Sequence, residues 1–230
     1  MKSVLCPIAG FAFLACMAAP ASGGVSSDVK LSLHTQLRTK KVTQTCGSAA
    51  PTAVPCSQHN VSGSIETQYH VYLVVARVDP SEGIGGVTVG VDYGEGVHVE
   101  GWSLCADLYF DRGSWPAAGS GARIIWSHLA HCQRSTVPGH EEEGVHAIAA
   151  ALYVYAYSPG DLFLTVNTAG LPQPELAIMN CSAMEVALDP EVLPLVRFSA
   201  SGTEPGVSPC ALDPVPIQET SWGRLKHRLQ

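Results

Sequence analysis

Residues 69–78, which read YHVYLVVARV, decide the fold class of this chain. The segment is apolar on both alternating faces and rich in β-branched and aromatic residues, which is typical of a central strand covered on both sides. A turn signal, DPSEG, follows at residues 79–83. Residues 87–93 then alternate apolar and polar side chains with the period of two that indicates a half-buried strand.

Further short strands are predicted on both sides of this segment. Residues 97–105 (VHVEGWSLC) alternate again, and Gly101 stands where a bulge could reverse the register. Residues 145–157 carry alanines that suit a helix, but their Val, Ile and Tyr content and flanking turns favour a strand. The other predicted strands are 29–37, 122–128, 162–166, 175–181, 184–188 and 195–200, and the predicted loops are 46–63 and 111–121. Many short, evenly spaced strands indicate a sandwich or barrel, and we predict an all-β antiparallel sandwich, immunoglobulin-like or jelly roll.

The amino terminus has the layout of a secretory signal. A charged start, Met1-Lys2, precedes an apolar run over residues 4–19 and the small-residue pattern Ala19-Pro20-Ala21, which predicts a mature start between Ser22 and Val25. Acylation at Cys16 is an alternative that the residues before it match poorly. The predicted organisation is a signal peptide (1–23), a β-sandwich domain with a lead-in (24–210), and a linker with a basic tail (211–230). No second apolar stretch predicts a membrane span.

The charge balance argues against a nucleic-acid partner. Removing the signal leaves 12 Lys and Arg residues, because Lys2 is lost, against 20 Asp and Glu residues, a net charge of −8. The basic residues that cluster lie near the two ends of the mature chain and are interpreted as solvated charge: Arg38, Lys40, Lys41, Arg224, Lys226 and Arg228. An acidic chain without a basic stripe is a poor candidate for nucleic-acid binding.

The mature chain keeps six cysteines, an even number that predicts disulfides and an oxidising, secreted or periplasmic location. The sequence holds no C-x-x-C, so zinc-ribbon and thioredoxin-like sites lose their main support. Nearest-in-sequence pairing, with an antiparallel return joining the middle two, predicts the bonds Cys46–Cys56, Cys105–Cys132 and Cys181–Cys210.

Residues 71–99 carry a family resemblance. An apolar strand, an Asp-Pro turn, the run Gly83-Ile84-Gly85-Gly86, an alternating strand and Asp92-Tyr93 are similar to the opening of cohesin-like β-sandwich domains. GWSLCADL, a later His131-Cys132-Gln133 and the terminal SWGRLKHRL resemble a group of uncharacterised secreted proteins from environmental bacteria. The resemblance covers residues 65–210 and implies a cohesin-like sandwich. Cohesins bind dockerin partners, but no residue of that interface is carried over to this chain.

Motifs for catalysis or metal binding are absent from the sequence. His128-x-x-His131-Cys132, with His140 and His146, is interpreted as surface and loop histidines, because strand positions three apart point to opposite faces. Calcium could be held only by a carboxylate group without an EF-hand loop: Glu141, Glu142, Glu143, Asp107 and Asp111. Neither G-x-S-x-G nor H-E-x-x-H occurs. We therefore predict no cofactor and no enzyme.

Exposed aromatic residues are the remaining candidates for binding. Trp115 lies in a Gly/Ser/Pro loop and is the best candidate for an exposed ligand contact. Trp102 is second, provided that its strand runs without a bulge at Gly101. Trp126 and the tyrosines at 153, 155 and 157 are interpreted as packing residues.

The predicted function is a non-catalytic secreted module for adhesion, assembly or ligand binding, with an extracellular protein or polysaccharide as partner. The alternative is a secreted hydrolase without a recognisable motif.

Overall fold

The computed structural model describes residues 28–39, 46, 53–111, 113–168, 175–188 and 192–211. The predicted signal peptide, Cys16 and the predicted tail beyond Ala211 lie outside the described residues. The described helices are two 3-10 turns of three residues, Cys56–Gln58 and Glu141–Glu143. Within the described ranges, no helix has the length and apolar character needed to cross a membrane.

Twelve described strands form two sheets, and every pairing is antiparallel except that of the twelfth strand with the second. The strands are β1 (Lys30–Leu37), β2 (Ser62–Ser64), β3 (Gln68–Val78), β4 (Gly86–Tyr93), β5 (Val97–Leu104), β6 (Leu108–Asp111), β7 (Ser120–Ile125), β8 (Val145–Ala156), β9 (Gly160–Thr165), β10 (Ala177–Met179), β11 (Glu185–Ala187) and β12 (Leu195–Ser199). The four-stranded sheet has the order β1-β3-β8-β5. The eight-stranded sheet has the order β11-β10-β4-β9-β12-β2, with β7 paired to β4 and β6 paired to β7.

The main core lies between the two sheets. One side of β3 contributes Val71, Leu73 and Val75, and β4 faces it with its alternating valines, all of them buried. Strand β9 adds Leu162 and Leu164 from the eight-stranded sheet. Period-two alternation therefore places one apolar face of each strand in the same layer, which confirms the predicted antiparallel sandwich.

A second apolar layer covers the outer face of the four-stranded sheet. The opposite side of β3 contributes Tyr72, Val74 and Ala76, which pack with Ala151 of β8 and with a disulfide joining residues 56 and 210. Residues 53–60, here called the cover segment, lie over this face. The prediction that residues 69–78 form a central strand covered on both sides is confirmed.

Residues 145–156 form the strand β8, the longest described strand, rather than a helix, as predicted. The pairing of β5 with β8 shifts register between Val99 and Gly101, so the bulge that the sequence left open at Gly101 is formed. Two strands were not predicted: β2 within the supposed loop 46–63, and β6, which ends at the start of the supposed loop 111–121.

All six cysteines form disulfides, but the predicted connectivity is wrong. The bonds are Cys46–Cys105, Cys56–Cys210 and Cys132–Cys181. The prediction assumed that neighbouring cysteines lie on one antiparallel return. Instead, Cys105 follows β5 of the four-stranded sheet, while Cys132 follows β7 of the other sheet. Pairing by sequence distance fails for these two cysteines because the chain passes from one sheet to the other between them.

Candidate functional site

Trp115 is buried, with 7% of its surface exposed, so the prediction of an exposed anchor is wrong. Its ring belongs to the main core and meets the ring of Trp102 edge-to-face, with centroids 6.3 Å apart. The Trp115 backbone N–H donates to Asp111 Oδ2 (3.0 Å) at the end of β6, which fixes the loop against the sandwich. A Gly/Ser/Pro-rich composition indicates a loop, but it does not indicate which side chain that loop buries.

Trp102 is half-buried because the bulge at Gly101 returns it to the core side of β5. Its ring stands edge-to-face on Tyr109 of β6 at 4.8 Å. The condition for its exposure, a strand without a bulge, is not met, so the prediction of a second exposed anchor fails as well. Trp102, Trp115 and Tyr109 together close the side of the sandwich where β5 and β6 approach each other.

The other aromatic residues fall into two groups. Trp126 is buried in the main core, as predicted. Tyr153 is buried under the Arg38 guanidinium, which lies 5.3 Å from its ring centroid. Tyr157 is 62% exposed, although its ring centroid lies 4.5 Å from that of Tyr155. Its interpretation as a packing residue is therefore wrong.

The five carboxylates considered for calcium do not form one group among the described residues, although Glu142 and Glu143 place ligand atoms within 4.8 Å of each other and of His140. Glu141, Glu142 and Glu143 form a 3-10 turn beside His140. Asp111 accepts a hydrogen bond from the Trp115 N–H, and Asp107 accepts one from the Ser127 N–H. Cys132 is in a disulfide and cannot act as a thiolate ligand for the exposed histidines at 128 and 131.

Asp107 and His131 lie within ion-pair distance of each other, and both line a cleft of about 460 Å³. The Ser127 backbone N–H donates to Asp107 Oδ2 (2.6 Å), and this bond is the main reason that the pKa of the Asp107 carboxyl lies below its usual value. Asp107 Oδ1 lies 2.8 Å from His131 Nδ1, which leaves Nε2 as the outward nitrogen. No hydroxyl or thiol of the described residues bonds to that nitrogen, so a nucleophile–base pair is not formed there.

Ser32 and His59 are the closest approach to a serine–histidine pair. His59 Nε2 donates to the Val54 carbonyl (3.2 Å), so its Nδ1 accepts from Ser32 Oγ (2.7 Å). Burial lowers the pKa of His59 to about 4, and Ser32 is completely buried. A weak base and an inaccessible hydroxyl serve structure here, holding the cover segment to β1.

Four histidines form a layer on the outer face of the four-stranded sheet that the sequence analysis did not predict. The interpretation of His146 as a surface or loop histidine is wrong, because it is buried in β8 with 5% of its surface exposed. His34 and His59 lie 5.6 Å apart between ring centroids, and His59 and His146 lie 6.2 Å apart. His70 continues the layer beside Tyr72 at 6.1 Å. Burial is the first cause of a lowered pKa in all four. Strand alternation could have placed His34 and His70 on one face, but His59 arrives from the cover segment.

The edge strand β6 carries two neighbouring exposed apolar side chains on one face. Leu108 and Phe110 are 57% and 58% exposed. They are paired with Ile125 and Arg123 of β7, and directly paired residues share a face of the sheet. Leu108, Phe110 and Ile125 therefore form one surface, here called the apolar ridge, on the outer face of the eight-stranded sheet.

Polar groups border the apolar ridge. Arg123 donates to both carboxylate oxygens of Glu185 (2.7 and 2.9 Å) and lies 3.5 Å from Glu175. Asp107, which precedes Leu108, carries the pair with His131 at the other end. An apolar centre with a polar rim is the usual anatomy of a protein–protein interface.

The chain is similar to solved cohesin modules. One is the cohesin module of a family 33 glycoside hydrolase from Clostridium perfringens ATCC13124, with 9% identity and a TM-score of 0.41 over 74% of this chain and 98% of that one. A chain of a CaDoc0917–CaCohA2 complex has 16% identity and a TM-score of 0.42, over 74% and 99%. A non-cellulosomal cohesin from the hyperthermophilic archaeon Archaeoglobus fulgidus has 13% identity and a TM-score of 0.35, over 61% and 84%.

These values describe a general similarity in strand arrangement, and no functional conclusion follows from them. No protein-family model matches the chain, and no curated protein matches it either.

Proposed function

We propose that this chain is a non-catalytic, secreted or periplasmic module that binds a protein partner through the apolar ridge. The observation that carries the proposal is the exposure of Leu108 and Phe110 side by side on an edge strand. Contiguous exposed apolar side chains rimmed by polar groups are typical of surfaces that another protein covers. The signal layout and three disulfides support a location outside the reducing cytoplasm.

The position of β6 supports a protein partner rather than a polysaccharide. Among the described strands β6 pairs only with β7, so it is an edge of its sheet. Edge strands are usually protected by lysine, proline or a covering segment, whereas β6 reads Leu-Tyr-Phe-Asp. Phe110 is the one planar side chain of the ridge, and Leu108 and Ile125 beside it offer no flat face to a sugar ring. They fit instead an apolar patch on a second protein.

Contacts around β6 hold the apolar ridge in a fixed position. Tyr109 faces the opposite way from the ridge, where it is locked edge-to-face by Trp102. Asp111 at the end of the strand is bound by the Trp115 N–H. A surface held in place before binding loses little conformational entropy on association, which favours affinity.

Photo-cross-linking tests the proposal. We expect p-benzoylphenylalanine at position 110 of the exported protein to give a discrete adduct in the native secretome, identified by mass spectrometry. The same probe at position 157, an exposed tyrosine outside the ridge, should give no such adduct. Phe110→Asp should then weaken binding of the purified partner at least about tenfold, because loss of a buried aromatic anchor costs more than 1.4 kcal/mol.

The matched control is Tyr157→Asp, which introduces the same charge at a similarly exposed aromatic residue directly after β8. Both substitutions should leave the melting temperature nearly unchanged, since exposed positions tolerate replacement. Equal loss of binding in the two variants, or an adduct at position 157 but not at 110, would place the interface elsewhere and contradict the proposal.

A further inference from the structure

A small cavity opens on the outer face of the four-stranded sheet, between the cover segment and strands β1, β3 and β8. Its volume is about 180 Å³. One part of its lining is apolar, with Val54, Val74 and Ile148. The other part is polar, with side chains from the histidine layer and its neighbours: His34, Gln36, His59 and Tyr72. The apolar ridge belongs to the other sheet, so this cavity is a separate site.

Several polar groups of the lining already have hydrogen-bond partners within the protein. His59 donates to the Val54 carbonyl and accepts from Ser32, so both of its nitrogens have partners. The Val54 carbonyl also accepts from His146 Nδ1 (3.2 Å). Tyr72 donates to Gln36 Oε1 (3.0 Å) and lies 3.3 Å from His70 Nδ1.

The unused groups of the lining are donors. His34 Nδ1 accepts the Asn60 backbone N–H (3.0 Å), so the neutral imidazole carries its proton on Nε2. Gln36 uses its oxygen for Tyr72, which leaves its amide NH₂. Neither donor has a partner among the described residues. Gln36 is exposed and His34 is half-buried, so water can reach these donors, and a group that displaces this water has to present an acceptor to them.

Charge and size narrow the ligand further. Among the described residues the lining contains no Asp, Glu, Lys or Arg, so a charged ligand would lose its hydration without gaining a counter-ion from them. The cavity is smaller than the roughly 300–1,000 Å³ of sites that enclose a whole drug-sized molecule. It therefore suits the end of a larger molecule: an uncharged acceptor attached to a short apolar body.

We propose that this cavity binds an uncharged acyl group, with an acetamido group as the best fit in size. Its carbonyl oxygen accepts hydrogen bonds from His34 Nε2 and the Gln36 amide, and its methyl group packs against Val54, Val74 and Ile148. The ligand could be an N-acetylated sugar or another N-acylated compound, because both present the same carbonyl and methyl groups.

Saturation-transfer NMR on the full disulfide-bonded chain tests the site with a matched pair of sugars. Triacetylchitotriose and cellotriose share a backbone and differ in the acetamido groups. We expect saturation of the acetyl methyl protons of triacetylchitotriose and no transfer to cellotriose. Acetanilide serves as the non-sugar acyl probe. Binding of acetanilide alone would support the acyl site with a source other than a sugar.

Three variants test whether the saturation transfer arises from binding in this cavity. Gln36→Leu should weaken binding about fivefold, the effect of one neutral hydrogen bond. Ile148→Trp should abolish binding by filling the cavity. His98→Leu, which replaces an exposed histidine on β5 of the same sheet, should leave binding unchanged, and melting curves verify that each variant folds.

Three results would overturn the proposal. The first is that neither acetylated probe binds. The second is that cellotriose binds as well as triacetylchitotriose, which would remove the role of the acyl group. The third is that the Gln36→Leu and Ile148→Trp proteins fold and bind like the parent protein, which would place any binding outside this cavity. None of these results bears on the ridge of β6.

Discussion

Replacing both Cys56 and Cys210 by alanine should lower the free energy of unfolding by about 5 kcal/mol. The disulfide joins residues separated by 154 positions, and in the chain-entropy model a longer closed loop restricts the unfolded chain more. Both cysteines are also buried in the second apolar layer with Tyr72 and Val74. Urea unfolding of the folded variant and the parent at pH 7.5 measures the difference.

The matched control is the paired replacement of Cys132 and Cys181, whose separation is 49 residues. The same model gives about 4 kcal/mol for that loop, so the Cys56–Cys210 variant should be the less stable of the two. A reversed order would show that loop length does not govern these bonds. Because Cys56 anchors the cover segment, the Cys56–Cys210 variant should also exchange the amide hydrogens of residues 53–60 faster than the control.

The central strands could be predicted because their sequence carries the reason for their position. Strand β3 is apolar on both alternating faces, and the structure covers both, one with the main core and one with the second layer. The place of the Gly101 bulge was visible for a similar reason, since a glycine interrupts the alternation there, but whether the bulge forms and buries Trp102 depended on the assembled sheet. Such signals are local, and local patterns determine strands.

Strand β6 escaped prediction because it is short, at an edge and exposed. Four residues, Leu-Tyr-Phe-Asp, provide too little alternation to indicate a strand, and their apolar side chains are exposed rather than buried in the core. The apolar ridge therefore depends on what the chain leaves uncovered, which only the assembled sandwich defines. Trp115 is the opposite case. The composition of its loop indicates exposure, but its ring is buried in the main core against Trp102 of β5.

The disulfides and the histidine layer lay beyond the sequence for a topological reason. Each disulfide, and each contact of His59 with the other histidines, joins segments that are distant along the chain, such as the cover segment with β1 and β8. Pairing by proximity assumes hairpins, whereas this chain moves between two sheets. His59 illustrates the result, because its ring is buried only after the cover segment folds over Ser32 and Val54.

Acidification from pH 7.5 to pH 4 should destabilise the fold by about 3 kcal/mol through His59 alone. Its pKa falls from 6.5 in the unfolded chain to about 4 in the folded one, chiefly because burial disfavours the charged ring. Between these values the unfolded state binds more protons, so the stability contributed by His59 is full above pH 6.5 and is lost as the pH falls toward 4. His34, His70 and His146 have lowered pKa values and act in the same direction.

His59→Gln isolates this contribution, since glutamine keeps a donor for the Val54 carbonyl but does not titrate. The variant is expected to be less stable than the parent at pH 7.5, yet its loss of stability between pH 7.5 and pH 4 should be smaller by about 3 kcal/mol. Urea unfolding of both proteins at each pH measures the difference. If His59→Gln and the parent lose the same stability on acidification, the pH dependence arises from other groups. Because His59 holds the cover segment, faster hydrogen exchange of residues 53–60 at low pH should accompany the loss in the parent and be weaker in the variant.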